Sequence, residues 1–407
     1  MYSFVNPKKF KSSPLPLLIL FFMVISSHAN AQRSMKIKIL ADMELSNAGP
    51  DSHFFFNEID KDFTQWRFGL SQLNLITQIN INKQVRINAR VLAERDHGRE
   101  FGRLVLPQLN LQYLSKDRKY GLTLGTFTNP FGSFNKHQLS TDRNLIGLPL
   151  AYSYYNNISE KLGFIDGLGD IVKIPIKGDV QWGRTNLYYG GYTLGAMFSW
   201  AIKPSKIGLK VALVNGASNI QFPFTSPMHL GVVSRLKIQP TYFWEQGVSL
   251  SHGTFMQDSP ISDIFENLRQ YSQTLIGTDY KLGMGHLEFS GEVIFTAYKV
   301  PVVDFNEGAV KSVENLNNLA LYLDAKYELP FLQGSYIAYR IDHLRFSTIS
   351  DGLYENWDNN ILRNSMGIGY NVTRNIIVRA SVSTQNVQNK DWGKSQRTFR
   401  LVLTAHY

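Results

Sequence analysis

The stretch Val85-Arg86-Ile87-Asn88-Ala89-Arg90-Val91 alternates strictly between apolar and polar side chains. Successive side chains of an extended strand point to opposite faces of its sheet. One face of this stretch is therefore entirely aliphatic, and the other carries Arg86, Asn88 and Arg90. The pattern predicts a β-strand that separates an apolar environment from a strongly polar one.

The same period of two recurs along most of the chain. It is found at residues 73–81, 109–113, 286–293, 321–327, 376–382 and 398–407. Two architectures produce such strands. A soluble sandwich or solenoid buries the apolar face, whereas a membrane barrel turns that face to lipid and leaves the other face wet.

Three features favour the membrane barrel. Many runs reach about ten residues, the length that a tilted strand needs to cross the hydrocarbon. Aromatic residues such as Tyr113, Trp200 and Tyr327 lie near the ends of runs, where an interfacial girdle would place them. The polar face often carries charge, which a packed core accepts only when it is paired. The predicted fold is all-β, a transmembrane antiparallel up-and-down β-barrel.

The connections predict the strand count and the orientation. Short connections are predicted at 82–83, 115–119, 203–205, 239–240, 283–285, 329–331 and 371–375, and long ones near 46–63, 95–102, 128–185, 216–227, 256–269, 299–315, 347–358 and 388–394. Short and long connections alternate, as in barrels with tight periplasmic turns and larger outer loops. The runs between them number 16, or 18 if residues 150–156 and 179–188 are also wall strands.

The first 31 residues predict export. Lys8, Lys9 and Lys11 precede an apolar core at residues 15–25, and Ala29-Asn30-Ala31 is a small-residue cleavage site. A membrane anchor would need about 18 apolar residues, more than this core provides. We therefore expect a signal peptide at 1–31, a barrel at 32–407 and a location in the cell outer membrane.

Composition narrows the partners. The formal net charge is +10, but the basic residues form no tract, so nucleic acid is not an expected partner. The chain has no cysteine, so disulfides cannot stabilise it. The expected partners are outer-membrane lipid and small hydrophilic solutes.

A long polar and aromatic segment interrupts the strands at residues 128–185. It contains Pro130-Phe131-Gly132, a predicted turn with an aromatic anchor. Its many aromatic and aliphatic side chains are too apolar to remain in water, so we expect it to fold into the lumen. Its charged residues Lys136, His137, Asp142 and Arg143 are then candidates for the narrowest point. The alternative places this segment at the outer rim with its charges in solvent.

The order of these features resembles that of bacterial outer-membrane porins. The resemblance is carried by Gly125-x-Phe127-x-x-Pro130-Phe131-Gly132, by Gly147-Leu148-Pro149-Leu150-Ala151-Tyr152 and by the terminal aromatic Tyr407. It is strongest for the phosphate-selective porin O and P type and its relatives. That resemblance implies 16 strands, homotrimers and passive diffusion of small, often anionic, solutes. The phosphate-binding ladder of that family cannot be matched here residue by residue, so phosphate selectivity is not implied.

The polar strand faces supply further pore-lining candidates. The basic ones are Arg86, Arg90, Arg235, Lys237, Arg340, Arg363, Arg379 and Arg400, and the acidic ones are Glu245, Glu288, Glu292, Asp324 and Glu328. Rings of charge set ion preference in channels, and the modest basic excess predicts a mild anion preference. The alternative is that most of these charges neutralise one another across neighbouring strands.

No catalytic or metal-binding pattern is present in the sequence. Ser251 and His252 are adjacent, so a strand points them to opposite faces, and the nine histidines show no metal-ligand spacing. We expect neither enzymatic activity nor a cofactor. The expected function is a passive diffusion channel, and the alternative is a structural or assembly barrel with a blocked lumen in a larger envelope complex.

Overall fold

The computed structural model describes residues 34–49, 64–94, 103–137, 139–164, 184–186, 188, 191–218, 229–257, 265, 267–304, 309–348, 356–388 and 396–407. The predicted signal peptide lies outside these residues. The wall strands are β1(Ser34–Ala48), β2(Arg67–Asn80), β3(Val85–Glu94), β4(Arg103–Leu114), β5(Tyr120–Thr128), β9(Tyr192–Lys203), β10(Ile207–Asn215), β11(Leu230–Thr241), β12(Trp244–Thr254), β13(Ser272–Met284), β14(Leu287–Asp304), β15(Ala309–Glu328), β16(Ser335–Phe346), β17(Ile361–Thr373), β18(Ile376–Val387) and β19(Gln396–His406). None of the described helices is long and apolar enough to cross a membrane.

These sixteen strands form a closed antiparallel barrel. Each strand pairs with the next along the chain, β5 pairs with β9, and the first strand closes on the last from Leu40 opposite His406 to Ala48 opposite Thr398. The predicted count of 16 is confirmed. The 18-strand alternative is wrong, because residues 150–153 form a helix and residues 155–159 and 184–186 form short strands outside the wall.

The alternation of side chains defines the two faces of the wall. On β3, Ile87 faces outward between Ile79 of β2 and Leu111 of β4, and Arg90 points inward and is 4% exposed. Across the barrel, large apolar side chains such as Leu124 and Phe295 stay exposed on the outer face, which in a membrane faces lipid. The inner face carries the buried polar residues, as the sequence predicts.

Connection lengths separate the two ends of the barrel, with one exception. The β14–β15 connection was expected near 299–315, but β14 continues to Asp304 and β15 begins at Ala309. These two strands have 18 and 20 residues, whereas a tilted strand needs only about 9–11 to cross the hydrocarbon. This hairpin therefore extends beyond the membrane at the end with the long connections.

Arginine should cost more stability on the outer face of β3 than on its inner face. Ile87→Arg places a charge on the lipid-facing side and should destabilise the barrel by about 2–4 kcal/mol if it lies near the midplane. Asn88→Arg places the same charge in the lumen and breaks only a 2.9 Å hydrogen bond to Asn110, a loss of about 1 kcal/mol. Urea unfolding in lipid vesicles measures the free energy of unfolding of both variants. Equal decreases would contradict the assignment of the two faces.

Candidate functional site

The described part of the connection between β5 and β9 enters the barrel. This part, residues 129–137, 139–164, 184–186, 188 and 191, is here called the infolded segment. It includes 3-10 turns at Phe134–His137 and Ser140–Asp142, the short helix α1(Leu150–Ser153), and the short strands β6(Tyr155–Ser159), β7(Gly163–Phe164) and β8(Arg184–Asn186). The chain bends at Gly132, whose φ of 67° is left-handed and favours glycine. The predicted inward fold is confirmed by its contacts with lumen-facing residues.

The carboxylate of Glu292 on β14 is the main anchor of this segment. It accepts hydrogen bonds from the backbone N–H groups of Ser133 (2.5 Å) and Phe134 (2.7 Å), from the Ser133 hydroxyl (2.9 Å) and from the Tyr152 hydroxyl. Glu292 is 1% exposed. Bonds from donors to an ionised acceptor are roughly twice as strong as neutral ones, so the segment itself solvates this buried charge.

A second set of anchors comes from β16. The N–H of Leu150 donates to the Asp342 carboxylate at 3.1 Å, and the Arg340 guanidinium donates to the carbonyl of Gly147 at 2.8 Å. The Tyr336 hydroxyl donates to the carbonyl of Asn144 at 2.9 Å. Alternate residues of one strand thus hold residues 144–150 along the inner wall.

The strands that close the barrel hold the middle of the segment. Arg379 of β18 donates to the carbonyls of Ser140 and Arg143. The Ser140 hydroxyl donates to the Asp42 carboxylate of β1 at 2.9 Å. The segment is therefore bonded to the wall on both sides of the β1–β19 closure.

Aromatic rings pack the segment against the wall. Phe134 lies 4.9 Å from Tyr152 and meets Tyr322 of β15 edge-on at 5.8 Å between ring centroids. Phe131 lies 5.0 Å from Tyr188, which also contacts Tyr152. All five rings are at most 4% exposed.

Two wall glycines make room for the segment. A Cβ added at Gly277 would lie 2.8 Å from Cζ of Phe131, and one added at Gly367 would lie 2.7 Å from Cδ2 of Leu145. Such contacts are shorter than van der Waals packing allows. These inward glycines act as sockets for side chains of the infolded segment.

The part of the lumen near the long connections is packed on the side of β12–β17. Ring contacts run from Phe255 to Tyr298 (5.5 Å), then to Trp357 (6.2 Å), Phe346 (4.7 Å) and Tyr154 (6.1 Å). All five side chains are buried. On the side of β2–β4 and β9–β11, by contrast, the described residues border an open cavity.

Three cavities in the described part of the lumen meet at the Lys136–Arg143 stretch. One of about 350 Å³ lies between Lys136 and Asp142 and the wall residues Arg90, Lys210 and Arg235. Lys136 and Asp142 also border a second cavity of about 330 Å³. A third, of about 560 Å³, reaches the short β15–β16 turn. Lys136 and Asp142 thus lie between the first and the second cavity.

Several lumen charges are neutralised by neighbours. Arg235 bonds Asp279 at 2.6 and 3.0 Å, and Lys136 bonds Glu245 at 2.8 Å. Two further pairs are bidentate, Arg340 with Asp324 and Arg400 with Glu44. For these residues, the structure agrees with the alternative that lumen charges neutralise one another.

Other cations have only neutral partners among the described residues. Arg90 donates to Asn74 at 2.7 Å and to the Tyr192 hydroxyl. Arg143 donates to the carbonyl of Ile146 at 3.3 Å. Burial, and then the nearby charge of Arg379, lower the pKa of Arg143 to about 9, so this guanidinium stays protonated at neutral pH.

The predicted candidates are distributed among these cavities. The first cavity is lined by Arg90, Lys136, Asp142 and Arg235. The second is lined by Lys136, His137, Asp142, Arg143 and Arg340. The third is lined by His137, Asp142, Arg143 and Arg379. Arg86 lines none of the three and instead donates to Gln112 at 2.7 Å.

Sequence reasoning missed Lys210 and Tyr192, which line the first cavity. Lys210 lies in the alternating run Leu209-Lys210-Val211, so the period of two would have found it. The anchoring roles of Glu292 and Asp342 carry no such signal. In the described parts of the chain, no three His, Cys, Asp or Glu side chains are grouped to hold a metal ion.

Known structures with the same architecture are bacterial outer-membrane proteins, among them a channel and a porin. The outer membrane channel DcaP of Acinetobacter baumannii superposes with a TM-score of 0.58 at 11% identity, covering 93% of this chain and 99% of its own. The anion-selective porin from Comamonas acidovorans gives 0.57 at 10% identity, covering 92% and 100%. The trimer form of OmpT from Vibrio cholerae gives 0.53 at 8% identity, covering 92% and 100%.

These likenesses show that the chain has the fold of bacterial outer-membrane porins. No protein-family model matches the chain, and no curated protein sequence matches it. The resemblance found in the sequence is thus confirmed for the fold, and the phosphate-selective type stays a prediction.

Glu292→Gln tests the main anchor. An amide cannot replace a carboxylate that accepts four hydrogen bonds, so the backbone amides of Ser133 and Phe134 should exchange with solvent at least about tenfold faster. Glu288→Gln is the control, because Glu288 pairs with Lys281 and is 32% exposed. Hydrogen exchange read by mass spectrometry measures this, and unchanged protection in Glu292→Gln would refute the anchor.

Gly277→Ala tests the socket for Phe131. The added methyl group should displace the ring and destabilise the barrel by about 1–3 kcal/mol. Gly283→Ala is the matched control, since a Cβ there meets no atom within 4 Å. The thermal midpoint of the heat-modifiable gel shift compares the two variants, and equal midpoints would mean that Phe131 is not tightly seated.

Proposed function

We propose that this protein is an outer-membrane channel for passive diffusion of small hydrophilic solutes. The observation that carries this proposal is the position of Lys136 and Asp142, which border the cavities on both sides of the infolded segment. The segment is bonded to β1, β14, β16 and β18, and leaves space on the side of β2–β4 and β9–β11. A solute would pass between these two side chains and Arg90, Lys210 and Arg235.

We further propose a mild anion preference. Within the described residues, Arg90 and Lys210 have no carboxylate within 4 Å, and Arg143 has only a carbonyl partner. Among the described residues that line the first cavity, Asp142 is the one acid. Charge in a confined, poorly screened space acts strongly on permeating ions. Phosphate selectivity is not part of the proposal.

One observation favours the alternative of a structural barrel with a blocked lumen. The contacts from Phe255 through Trp357 to Tyr154 close part of the lumen at the end with the long connections. A structural subunit would need a partner protein and would conduct no current. The proposal predicts measurable single-channel conductance, so planar-bilayer recording separates the two functions.

The assembly belongs to the same proposal. Residues 1–31 would be removed as a signal peptide, the short turns would face the periplasm, and the long connections would face outward. The trimer form of one structural neighbour, together with the sequence resemblance, supports a homotrimer. Chemical cross-linking in intact cells tests that assembly.

Reversing two charges at the proposed constriction should change ion selectivity. Lys136→Glu combined with Arg143→Glu should shift the reversal potential in a KCl gradient toward cation preference. The control makes the same change at Lys203 and Lys206, which lie at the exposed β9–β10 turn. Heat-modifiable gel mobility checks that both variants fold, and equal reversal potentials would contradict the constriction.

Removing the constricting stretch should widen the pore. Deleting residues 133–146 removes the Ser133 and Phe134 donors to Glu292 and the stretch between the first two cavities, so the single-channel conductance should rise. If conductance and selectivity both stay at the wild-type values, solutes do not pass this stretch and the proposed path is wrong.

A further inference from the structure

The charges on the lipid-facing side of the wall all have one sign. Beyond the short turns, and counting only side chains that the structure describes, the charged residues on this face are Lys299, Lys311, Arg345 and Arg397. The outward His252 and His343 accompany them, and every described carboxylate of the wall strands faces the lumen. Three of the four cations lie on the adjacent strands β14, β15 and β16.

Cross-strand partners locate these cations relative to the apolar belt. Ile276, Phe295 and Leu319 form one row across β13, β14 and β15, and the next row toward the long connections is Thr274, Ala297 and Asn317. The outer face therefore changes from apolar to polar between these rows.

The cations lie at this boundary and beyond it. Arg345 is opposite Leu319, at the edge of the apolar row, and Lys299 is opposite Asn315, one step past the polar row. Lipid headgroups occupy this depth of a membrane.

The two side chains are available to a ligand. Lys299 and Arg345 are exposed, and neither forms an ion pair with a residue that the structure describes. Their positions differ by two strands and four residues, so their Cα atoms are roughly 17 Å apart. Asn315 and Asn317 lie between them on the same face and can donate to phosphate or sugar oxygens.

We propose that Lys299 and Arg345, here called the outer basic patch, bind the phosphate groups of lipid headgroups in the outer leaflet. Arginine and lysine are the side chains that recognise phosphate. A surface that excludes carboxylates and carries cations at headgroup depth is complementary to an anionic leaflet. The patch is separated from the lumen by the wall, so it is independent of solute passage. It rests on the proposed orientation, with the long connections outside.

The test measures lipid retention by the purified full-length barrel. Protein is mixed with detergent micelles that contain lipid A, a glucosamine disaccharide with two phosphates, or the same lipid after removal of both phosphates. Bound lipid is then counted by native mass spectrometry. Wild-type protein should retain the phosphorylated lipid and lose it as salt rises.

A double variant, Lys299→Gln with Arg345→Gln, should weaken retention by about fivefold for each charge removed. The matched control is Lys203→Gln with Lys206→Gln, two exposed lysines at the β9–β10 turn at the opposite end of the barrel, and it should retain lipid like the wild type. Heat-modifiable gel mobility confirms that both variants are folded.

Three results would overturn the proposal. If the double variant and its control retain equal amounts of lipid, the outer basic patch does not bind lipid. Equal retention of the dephosphorylated lipid would show that apolar contacts alone hold it. Complete displacement by millimolar inorganic phosphate would indicate a site for free phosphate instead of a lipid headgroup.

Discussion

The structure depends on one constraint: every backbone N–H and C=O group inside a bilayer needs a hydrogen-bond partner within the protein. A sheet meets this need only when it closes, because an open edge leaves a row of unpaired groups. The pairing of β1 with both β2 and β19 completes that closure. Once the sheet is closed, each strand has one face toward lipid and one toward the lumen, and the alternation of side chains distributes polarity across the whole wall.

A closed barrel of sixteen strands has an interior that its own wall side chains do not fill. Here the infolded segment fills much of it, and polar groups of the wall hold it. Glu292, Asp342 and Asp42 accept hydrogen bonds from the segment, while Arg340 and Arg379 donate to its carbonyls. The same lumen-facing polarity that the membrane requires thus anchors the segment. Apolar rings and the glycine sockets then determine how closely it approaches the wall.

Charge is distributed differently on the two faces of the wall. Inside, cations and carboxylates are interleaved. Many of the described ones are paired, whereas cations such as Arg90 and Arg143 bond neutral groups. Outside, the described charges are all basic and lie at the edge of the apolar belt or beyond it. A low-dielectric wall separates the two sets, so permeation and lipid contact can be altered independently.

The sequence alone determined the class of fold, a count of sixteen or eighteen wall strands and the faces of residues such as Ile87 and Arg90, because side-chain alternation and turn signals are local properties of the chain. The structure decided for sixteen. The sequence also placed Lys136, Asp142 and Arg143 in one segment. Only the tertiary structure decided that Glu292 binds residues 133 and 134, that Gly277 accommodates Phe131, and that Arg86 stands apart from the cavities. It also showed that β14 and β15 continue past the expected loop. These outcomes depend on contacts between residues more than a hundred positions apart, or on the length to which two strands continue to pair. Alternation within a strand encodes neither, since it specifies a face but not the partner across the lumen.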